Sequence, residues 1–235
     1  MVGLTKRPAV STDGVLISVR DVFKVYREAN AETVALRGAS LDLRAGEFIS
    51  LMGRSGSGKS TLVSVMAGLA LPTAGQVIID GRDITRLDEA ERAEVRATRI
   101  GLVFQSGNLI PFLSAAENVR LALQLSGRSA GNGHARDLLG EVGLAARLNH
   151  YPRQLSGGEV QRVAIAVALA LDPALLIGDE LTGELDTATS ERVMDLLRSV
   201  RRQRQLSIML VTHNPELAAL ADRRLELVDG AVVGS

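Results

Sequence analysis

The amino-acid sequence predicts an α/β fold built on a mostly parallel sheet. Short apolar runs of strand-like composition recur along the chain, and segments with helical spacing separate them. The length of 235 residues, with 46 % apolar residues, suits one large domain or one domain carrying a subdomain. Open sheets of this kind bind ligands at the carboxyl ends of their strands, so we expect the functional residues there.

The first half of the chain begins with alternating, branched and aromatic residues, which indicate antiparallel strands. A glycine-rich turn then separates a short apolar strand from a helix. The elements predicted here, in order, are antiparallel strands over 15–43, a strand at Phe48–Met52, a helix at about Lys59–Ala67, a strand at Gly75–Arg82 with an Asp-Gly turn, a surface helix DEAERAEVRATR, and a buried strand at 100–104.

The middle of the chain has helical spacing, over Ala115–Leu125 and Arg136–Leu148, and the segment SGRSAGNG between them is predicted to be flexible. Strand character returns at Ala174–Gly178, at Ser207–Thr212 and in a hairpin across Asp229-Gly230. We therefore predict a single domain over residues 1–235. Its core and antiparallel β subdomain comprise about 15–105 and 172–235, and a helical subdomain is inserted at about 106–171.

Composition narrows the function classes. A formal net charge of zero gives no basic field for nucleic acid or an anionic membrane, and the absence of cysteine removes disulfides and thiolate metal sites. The N-terminus has no apolar core of signal-peptide length and is expected to be a short frayed tail. The longest apolar run, Val163–Leu171, is far shorter than the roughly 20 residues that span a bilayer. Four arginines near residue 200 fit the end of a helix, where its dipole favours positive charge: Arg198, Arg201, Arg202 and Arg204.

The stretch GRSGSGKS matches G-x-x-x-x-G-K-[ST] and lies between a predicted strand and a predicted helix, as a phosphate-binding P-loop requires. Its glycines let backbone N–H groups surround phosphate oxygens, while Lys59 reaches the β- and γ-phosphates and Ser60 binds Mg²⁺. The fold class is therefore an α/β P-loop NTPase core with a mostly parallel sheet, an antiparallel β subdomain and an inserted α-helical subdomain. The nucleotide-binding residues predicted here are Gly53, Ser55, Gly56, Ser57, Gly58, Lys59, Ser60 and Thr61.

Four carboxylates follow the apolar strand at 175–177: Asp179, Glu180, Glu184 and Asp186. Such crowding raises the pKa of each acid unless a cation or hydrogen-bond donors lie among them. A solvated turn is one explanation, and a metal site is the other. Because a P-loop is present, we predict that Asp179 holds Mg²⁺ and that Glu180 orients and deprotonates the attacking water.

The stretch LSGGE at residues 155–159 forms a capping box between Ser156 and Glu159 at the start of a helix. Two glycines in a first turn cost helix stability, which a simple cap would avoid. They are explained if a phosphate approaches the bare N–H groups.

With these motifs, the sequence resembles the ATP-binding subunit of ABC transporters, in which LSGGE is the signature motif, from about Leu16 to Val233. Taken alone, Tyr26 fits a core aromatic and His213 a structural histidine. In the family pattern Tyr26 stacks on adenine, and Gln105 is the Q-loop glutamine and a Mg²⁺ ligand. Residues 175–180 are the Walker B strand, which ends in the catalytic Glu180. Residues 183–186 are the D-loop, and His213 is the switch histidine.

The resemblance implies an ATPase that forms a head-to-tail dimer, with a second copy of itself or a related chain, around two ATP molecules. Each ATP is then held by the P-loop of one chain and the signature of the other, through Ser156, Gly157, Gly158 and Glu159. Asp186 lies at the dimer interface. Binding of ATP favours the closed dimer, and hydrolysis releases it.

The segments after Gln105 and around His213 are similar to the branch of macrolide-exporter, lipoprotein-release and cell-division ATPases. This similarity implies a peripheral position on the cytoplasmic face of the membrane, beside an integral permease with few transmembrane helices and a large extracytoplasmic domain, and export or extraction as the task. The apolar residues 109–113 are either a contact for that partner or part of the subdomain core. The alternative function is a regulatory module of the cell-division type without a transported substrate. A soluble ABC protein of repair or translation is disfavoured because tandem cassettes and long coiled coils do not occur.

Four positions depart from the family pattern. Leu181 replaces a usual proline, Glu184 a usual asparagine, and Val160 and Val167 usual arginines. None of the four removes a catalytic group, so we expect an active ATPase.

Overall fold

The computed structural model describes residues 14–28, 31–125 and 132–234. The N-terminal tail up to residue 13 and most of SGRSAGNG lie outside the described residues. In chain order the strands are β1 (Val15–Glu28), β2 (Ala31–Arg44), β3 (Phe48–Met52), β4 (Ala74–Ile79), β5 (Arg82–Asp83), β6 (Ile100–Phe104), β7 (Leu175–Asp179), β8 (Ser207–Val211), β9 (Arg223–Val228) and β10 (Ala231–Val233). The α-helices are α1 (Lys59–Met66), α2 (Glu89–Arg99), α3 (Ala115–Leu125), α4 (Asn132–Glu141), α5 (Gly157–Ala170), α6 (Thr187–Arg204) and α7 (Pro215–Ala218).

Two sheets organise the chain. A six-stranded sheet has the order β10-β9-β3-β8-β7-β6, and its pairs are parallel except for β9 with β10. A four-stranded antiparallel sheet has the order β2-β1-β4-β5. Because β3, β6, β7 and β8 run in one direction, the segments that follow them emerge at the same edge of the sheet.

The larger sheet lies between two hydrophobic clusters. Successive residues of a strand point to opposite faces, and β8 shows the consequence: Ile208 and Leu210 pack with α3 to α6, whereas Met209 and Val211 pack with α1 and the antiparallel sheet. Parallel strands covered on both faces are expected to be apolar throughout, as these are. This double burial holds the carboxyl ends of the strands in fixed positions.

The predicted fold class is confirmed, including the antiparallel β sheet and the helices that follow β6. The predicted helix Arg136–Leu148 is wrong at both ends, since α4 covers Asn132–Glu141. Gly143 has φ +72°, and the N–H groups of Gly143 and Leu144 bond to the carbonyls of Gly140 and Leu139. This pattern terminates a helix, so the apolar spacing continues through a 3₁₀ turn rather than a helix.

Three of the four arginines near residue 200 form ion pairs within the chain, at the end of α6. Arg198 pairs with Asp195, Arg201 with Asp222, and Arg204 with Glu141. Within the described ranges, no helix is both long and apolar enough to cross a bilayer.

Candidate nucleotide-binding site

A cleft of about 650 Å³ opens at the edge of the sheet where β3, β6, β7 and β8 end. It brings together most of the residues predicted to bind nucleotide, which come from segments far apart in sequence. The lining residues are Tyr26, Thr33, Val34, Ala35, Gly53, Ser55, Gly56, Gly58, Lys59, Ser60, Thr61, Gln105, Asp179, Glu180, Gly183 and His213. Its size is within the range of sites for small molecules and cofactors.

The P-loop between β3 and α1 requires its glycines for conformation and for space. Gly53 has φ +152° and Gly58 has φ +105°, a range that side-chain-bearing residues rarely adopt. A Cβ atom on Gly53 would lie 2.5 Å from the Leu227 carbonyl oxygen. The Lys59 ammonium group donates to the carbonyls of Gly53 and Arg54 at 2.8 and 2.9 Å, so the loop itself holds the cation at the cleft.

Ser57 is the one P-loop residue of the predicted set that does not line the cleft. Its hydroxyl oxygen is buried and, within the described chain, has no hydrogen-bond partner. Ser57 serves through its backbone, since its N–H bonds to the Arg54 carbonyl at 3.2 Å and its carbonyl accepts from Gly230 at 3.1 Å. The β9–β10 turn therefore supports the P-loop from behind.

Asp179 ends β7 opposite the start of α1, where the Ser60 hydroxyl donates to its carboxylate at 3.4 Å. Burial raises the pKa of Asp179, and the neighbouring Glu180 charge raises it further, while Ser60 and Lys59 act in the opposite direction. A carboxylate that is costly to ionise is stabilised by a cation. A hydroxyl, a carboxylate and the nearby Gln105 amide oxygen are the hard donors that Mg²⁺ prefers, so these residues fit that ion.

Glu180 follows Asp179 and points to His213, whose Nδ1 lies 2.8 Å from the Glu180 carboxylate. An ionised carboxylate only accepts hydrogen bonds, so in that state Nδ1 carries the proton. Glu180 has φ +53°, in the left-handed region, and its N–H bonds to the Val211 carbonyl at the end of β8. A strained backbone held by a neighbouring strand is a common feature of functional sites.

Gln105 follows β6, and its side-chain amide donates to Glu184 at 3.3 Å. A Cβ atom on Gly183 would lie 3.4 Å from the same amide nitrogen. Glu184, which replaces a usual asparagine, thus fixes which end of the amide faces it, because a carboxylate cannot donate. The Gln105 amide oxygen is the end left to face other partners.

Leu181 occupies the position of the usual proline and is 1 % exposed. Its side chain covers Gly178 so closely that a Cβ atom on Gly178 would overlap it. The turn after Glu180 is therefore fixed by packing of Leu181 onto the strand.

Tyr26, predicted to stack on adenine, lies at the mouth of the cleft and is 41 % exposed. The Lys24 ammonium lies 5.0 Å from the centre of its ring. Sequence reasoning missed three neighbours on β2 that also line the cleft, Thr33, Val34 and Ala35. Tyr26 pairs with Thr33 in the β1–β2 hairpin, and this pairing places Thr33, Val34 and Ala35 beside Tyr26 at the cleft. A prediction of that strand pairing could have identified the three residues.

The signature residues and Asp186 do not line this cleft. The predicted capping box is confirmed at the start of α5, where the Ser156 N–H donates to Glu159 at 2.9 Å and the Glu159 N–H donates to the Ser156 hydroxyl at 3.3 Å. The hydrogen bond from Ser156 and the ion pair with Arg147 hold the pKa of Glu159 below its usual value.

The signature glycines also have a packing role that the sequence did not reveal. A Cβ atom on Gly158 would overlap the Thr189 methyl group, and one on Gly157 would lie 3.1 Å from Leu185. The start of α5 therefore packs against the start of α6. Asp186 caps α6 by accepting from the Thr189 N–H and hydroxyl at 3.0 and 2.7 Å, and these bonds lower the pKa of Asp186.

Comparison with known proteins agrees with this geometry. The sequence profile of the family described as "ABC transporter" matches residues 36–183. The chain is 47 % identical over 219 residues to the lipoprotein-releasing system ATP-binding protein LolD of Myxococcus xanthus, covering 92 % of this chain and 98 % of that protein. It is 42 % identical to the macrolide export ATP-binding/permease protein MacB of Syntrophobacter fumaroxidans, covering 92 % of this chain and 31 % of that protein.

Among solved structures, the dimeric post-hydrolysis state of the ATP-binding cassette MJ0796, bound to ADP and Pi, superposes with a TM-score of 0.86. The two chains are 39 % identical, and the match covers 92 % of this chain and 96 % of the other.

Proposed function

This chain belongs to the ABC transporter family as an ATP-binding, ATP-hydrolysing cassette, and from that premise we propose that it drives a separate membrane permease by ATP-dependent dimer closure. The observation that carries the proposal is the cleft. It joins a P-loop, a strand-end aspartate, a glutamate paired with a histidine, and a glutamine at one edge of the sheet.

We propose that Glu180 is the general base. A water attacks the γ-phosphorus, its proton passes to the Glu180 carboxylate, and the bond to the bridging oxygen breaks so that ADP leaves. His213 holds the carboxylate through Nδ1, and its Nε2 donates to the γ-phosphate when both ring nitrogens carry a proton. Lys59 neutralises charge on the β- and γ-phosphates, and the P-loop N–H groups bind them.

Ser60, Asp179 and Gln105 are the residues that would hold Mg²⁺. When bound, this ion neutralises phosphate charge and orients the β- and γ-oxygens. Tyr26 stacks on adenine, an interaction that its exposed ring at the mouth of the cleft permits.

The second half of each ATP site comes from a second copy of the chain. Ser156, Gly157, Gly158 and Glu159 lie away from the cleft of their own chain, so they are available to the ATP of the partner. The dimeric form of the MJ0796 cassette supports this arrangement. Asp186, at the start of α6 beside the signature, is proposed to lie at the same interface.

The permease contact is proposed for residues 109–113. Phe112 is 76 % exposed, although Leu109 packs against the core. The segment is held in shape by Asn118, whose side chain bonds to the backbone of Ile110 and Leu113. A rigid loop with an exposed aromatic residue suits docking of a partner helix.

The MacB relative is named an ATP-binding/permease protein, and the LolD relative an ATP-binding protein of a lipoprotein-releasing system. These names support a membrane permease as the partner and an export or extraction task. We propose further that the permease has few transmembrane helices and a large extracytoplasmic domain, and that the chain lies on the cytoplasmic face of the membrane.

The test is purification of the tagged Glu180→Gln variant from membranes of its host in mild detergent with ATP, followed by mass spectrometry. We expect a stoichiometric membrane protein with few predicted transmembrane helices and a large outer domain, and its loss in a matched Phe112→Ser sample. A many-helix permease would overturn the proposed branch, and the absence of any membrane partner would overturn the transport role.

A further inference from the structure

Gln161 is a buried amide on α5, two residues after the capping glutamate of the signature. It is 4 % exposed, and its Nε2 group donates to the backbone carbonyls of Gln105 and, at 3.5 Å, of Phe104. A carbonyl oxygen only accepts, so the NH₂ end of the amide must face the Q-loop backbone.

The other end of the same amide is costly to bury. The Gln161 Oε1 atom is buried and has no hydrogen-bond partner among the residues that the structure describes. An unsatisfied buried acceptor costs free energy that an apolar side chain of the same shape would not. The free-energy cost of the unsatisfied Oε1 atom is offset by the hydrogen bond that Nε2 donates to the Gln105 carbonyl.

That bond lies directly behind the cleft. The Gln105 side chain faces the cleft beside Glu184, while the Gln105 carbonyl faces Gln161. The next residues are held by the same helix, since a Cβ atom on Gly107 would lie 2.8 Å from the Val160 side chain. Helix α5 thus carries the signature at its start and, two residues after Glu159, hydrogen-bonds to the Q-loop backbone through Gln161.

We infer that Gln161 is a positioning residue for ATP hydrolysis, which sets the place of Gln105 in the cleft and ties it to the signature helix. The inference rests on the proposed role of Gln105 at the metal and the γ-phosphate. In the dimer, α5 of one chain contacts the ATP in the partner's cleft. A shift of α5 on that contact is transmitted through Gln161 to Gln105, which lines the cleft of the same chain as α5.

The test replaces the amide by an apolar side chain of similar length. We expect Gln161→Met to lower kcat by about ten- to a hundredfold, the range for displacement of a positioned group. The affinity for ATP measured without Mg²⁺ should be unchanged, because the P-loop is untouched. The melting temperature should change little, because removal of the orphan acceptor offsets the loss of the donor to the Gln105 carbonyl. Faster hydrogen exchange across residues 104–107 would report the loosened Q-loop directly.

Two further variants interpret the result. Gln161→Asn keeps an amide but withdraws it by one methylene, and it should also lower kcat, which guards against misfolding of the Met variant. Gln76→Met removes another amide, which is half-buried and bonds to Asp83 rather than to Gln105, and it should leave kcat unchanged.

Three outcomes separate the explanations. Wild-type kcat in both Gln161 variants, together with a low kcat in Gln105→Ala, overturns the inference alone. Wild-type kcat in Gln105→Ala overturns the proposed role of Gln105 itself. A fall in kcat that only follows a fall in melting temperature, as in a merely structural role, also overturns the inference.

Discussion

The nucleotide cleft and the signature end of α5 both contain carboxylates and hydroxyls, but the pKa shifts of their carboxylates have opposite directions. In the cleft, burial raises the pKa of Asp179, and the ammonium group of the P-loop lysine donates to carbonyls of the loop itself. At the signature, Ser156 and Glu159 cap each other and Asp186 caps the next helix, with pKa values of Glu159 and Asp186 below the usual range.

The difference indicates which residues stabilise the fold of the single chain, whatever they bind in a dimer, and which are stabilised only by a ligand. Polar groups whose hydrogen bonds are made within the chain stabilise the folded state on their own. A buried charge without such partners stabilises the folded state only when a bound ligand compensates it. Substitutions in the cleft should therefore change catalysis and binding with little effect on stability. Substitutions at the signature end should change stability even without nucleotide.

The largest expected effect concerns Glu180. Glu180→Gln should lower the turnover of ATP by about 10²- to 10⁴-fold, the range for loss of a general base, while ATP still binds. Steady-state phosphate release and nucleotide titration measure the two quantities. Glu191→Gln, at an exposed acid on α6, is the control and should behave as wild type. Near-normal hydrolysis by Glu180→Gln would remove Glu180 from its assigned role.

Next comes the P-loop lysine. Lys59→Ala should weaken ATP binding by about ten- to a hundredfold, because one charge-assisted contact to phosphate is lost. Isothermal titration calorimetry provides the affinity, and Arg202→Ala, an exposed cation on α6, is the matched control. Unchanged affinity in Lys59→Ala would contradict the phosphate cradle. A large loss of melting temperature would instead contradict the division between the two regions.

At the signature end, Asp186→Ala should lower the melting temperature of the nucleotide-free protein by about 2 to 4 °C, as expected for loss of a helix cap in a chain of this size. Asp186→Ser keeps a capping oxygen and should melt close to wild type. Because hydrogen bonds lower the pKa of Asp186, its contribution is present above the unfolded pKa and is lost as pH falls through the folded value. The difference between wild type and Asp186→Ala should shrink in acid.

The smallest effect has the opposite sign. Burial raises the pKa of Asp179, so its ionised form is less stable in the nucleotide-free fold than in the unfolded chain. That cost is absent at low pH and appears as pH rises through the unfolded and then the folded pKa. Asp179→Asn should therefore raise the melting temperature slightly at neutral pH while abolishing Mg²⁺-dependent tightening of ATP. A lower melting temperature would show that Asp179 is structural.

Local signals predicted much of this molecule. The P-loop, the strand before Asp179 and the Ser156–Glu159 capping box each depend on residues close in sequence, and their predicted elements are present. The end of α4 could not be predicted from apolar spacing, because Gly143 interrupts the helix while the spacing continues.

Contacts between distant segments were the other gap. The cleft lining by Thr33, the packing of Gly158 on Thr189 and the bond from Gln161 to the Q-loop all depend on how elements pack against one another. No pattern within a single segment specifies them.

The contact between Gly178 and Leu181 restricts the order in which this site can change through mutation. The Cβ of an alanine at 178 would overlap the Leu181 side chain, which would have to move, whereas a smaller residue at 181 removes the obstruction. The two positions are thus coupled, and Gly178→Ala should be far more harmful alone than in a Leu181→Pro background.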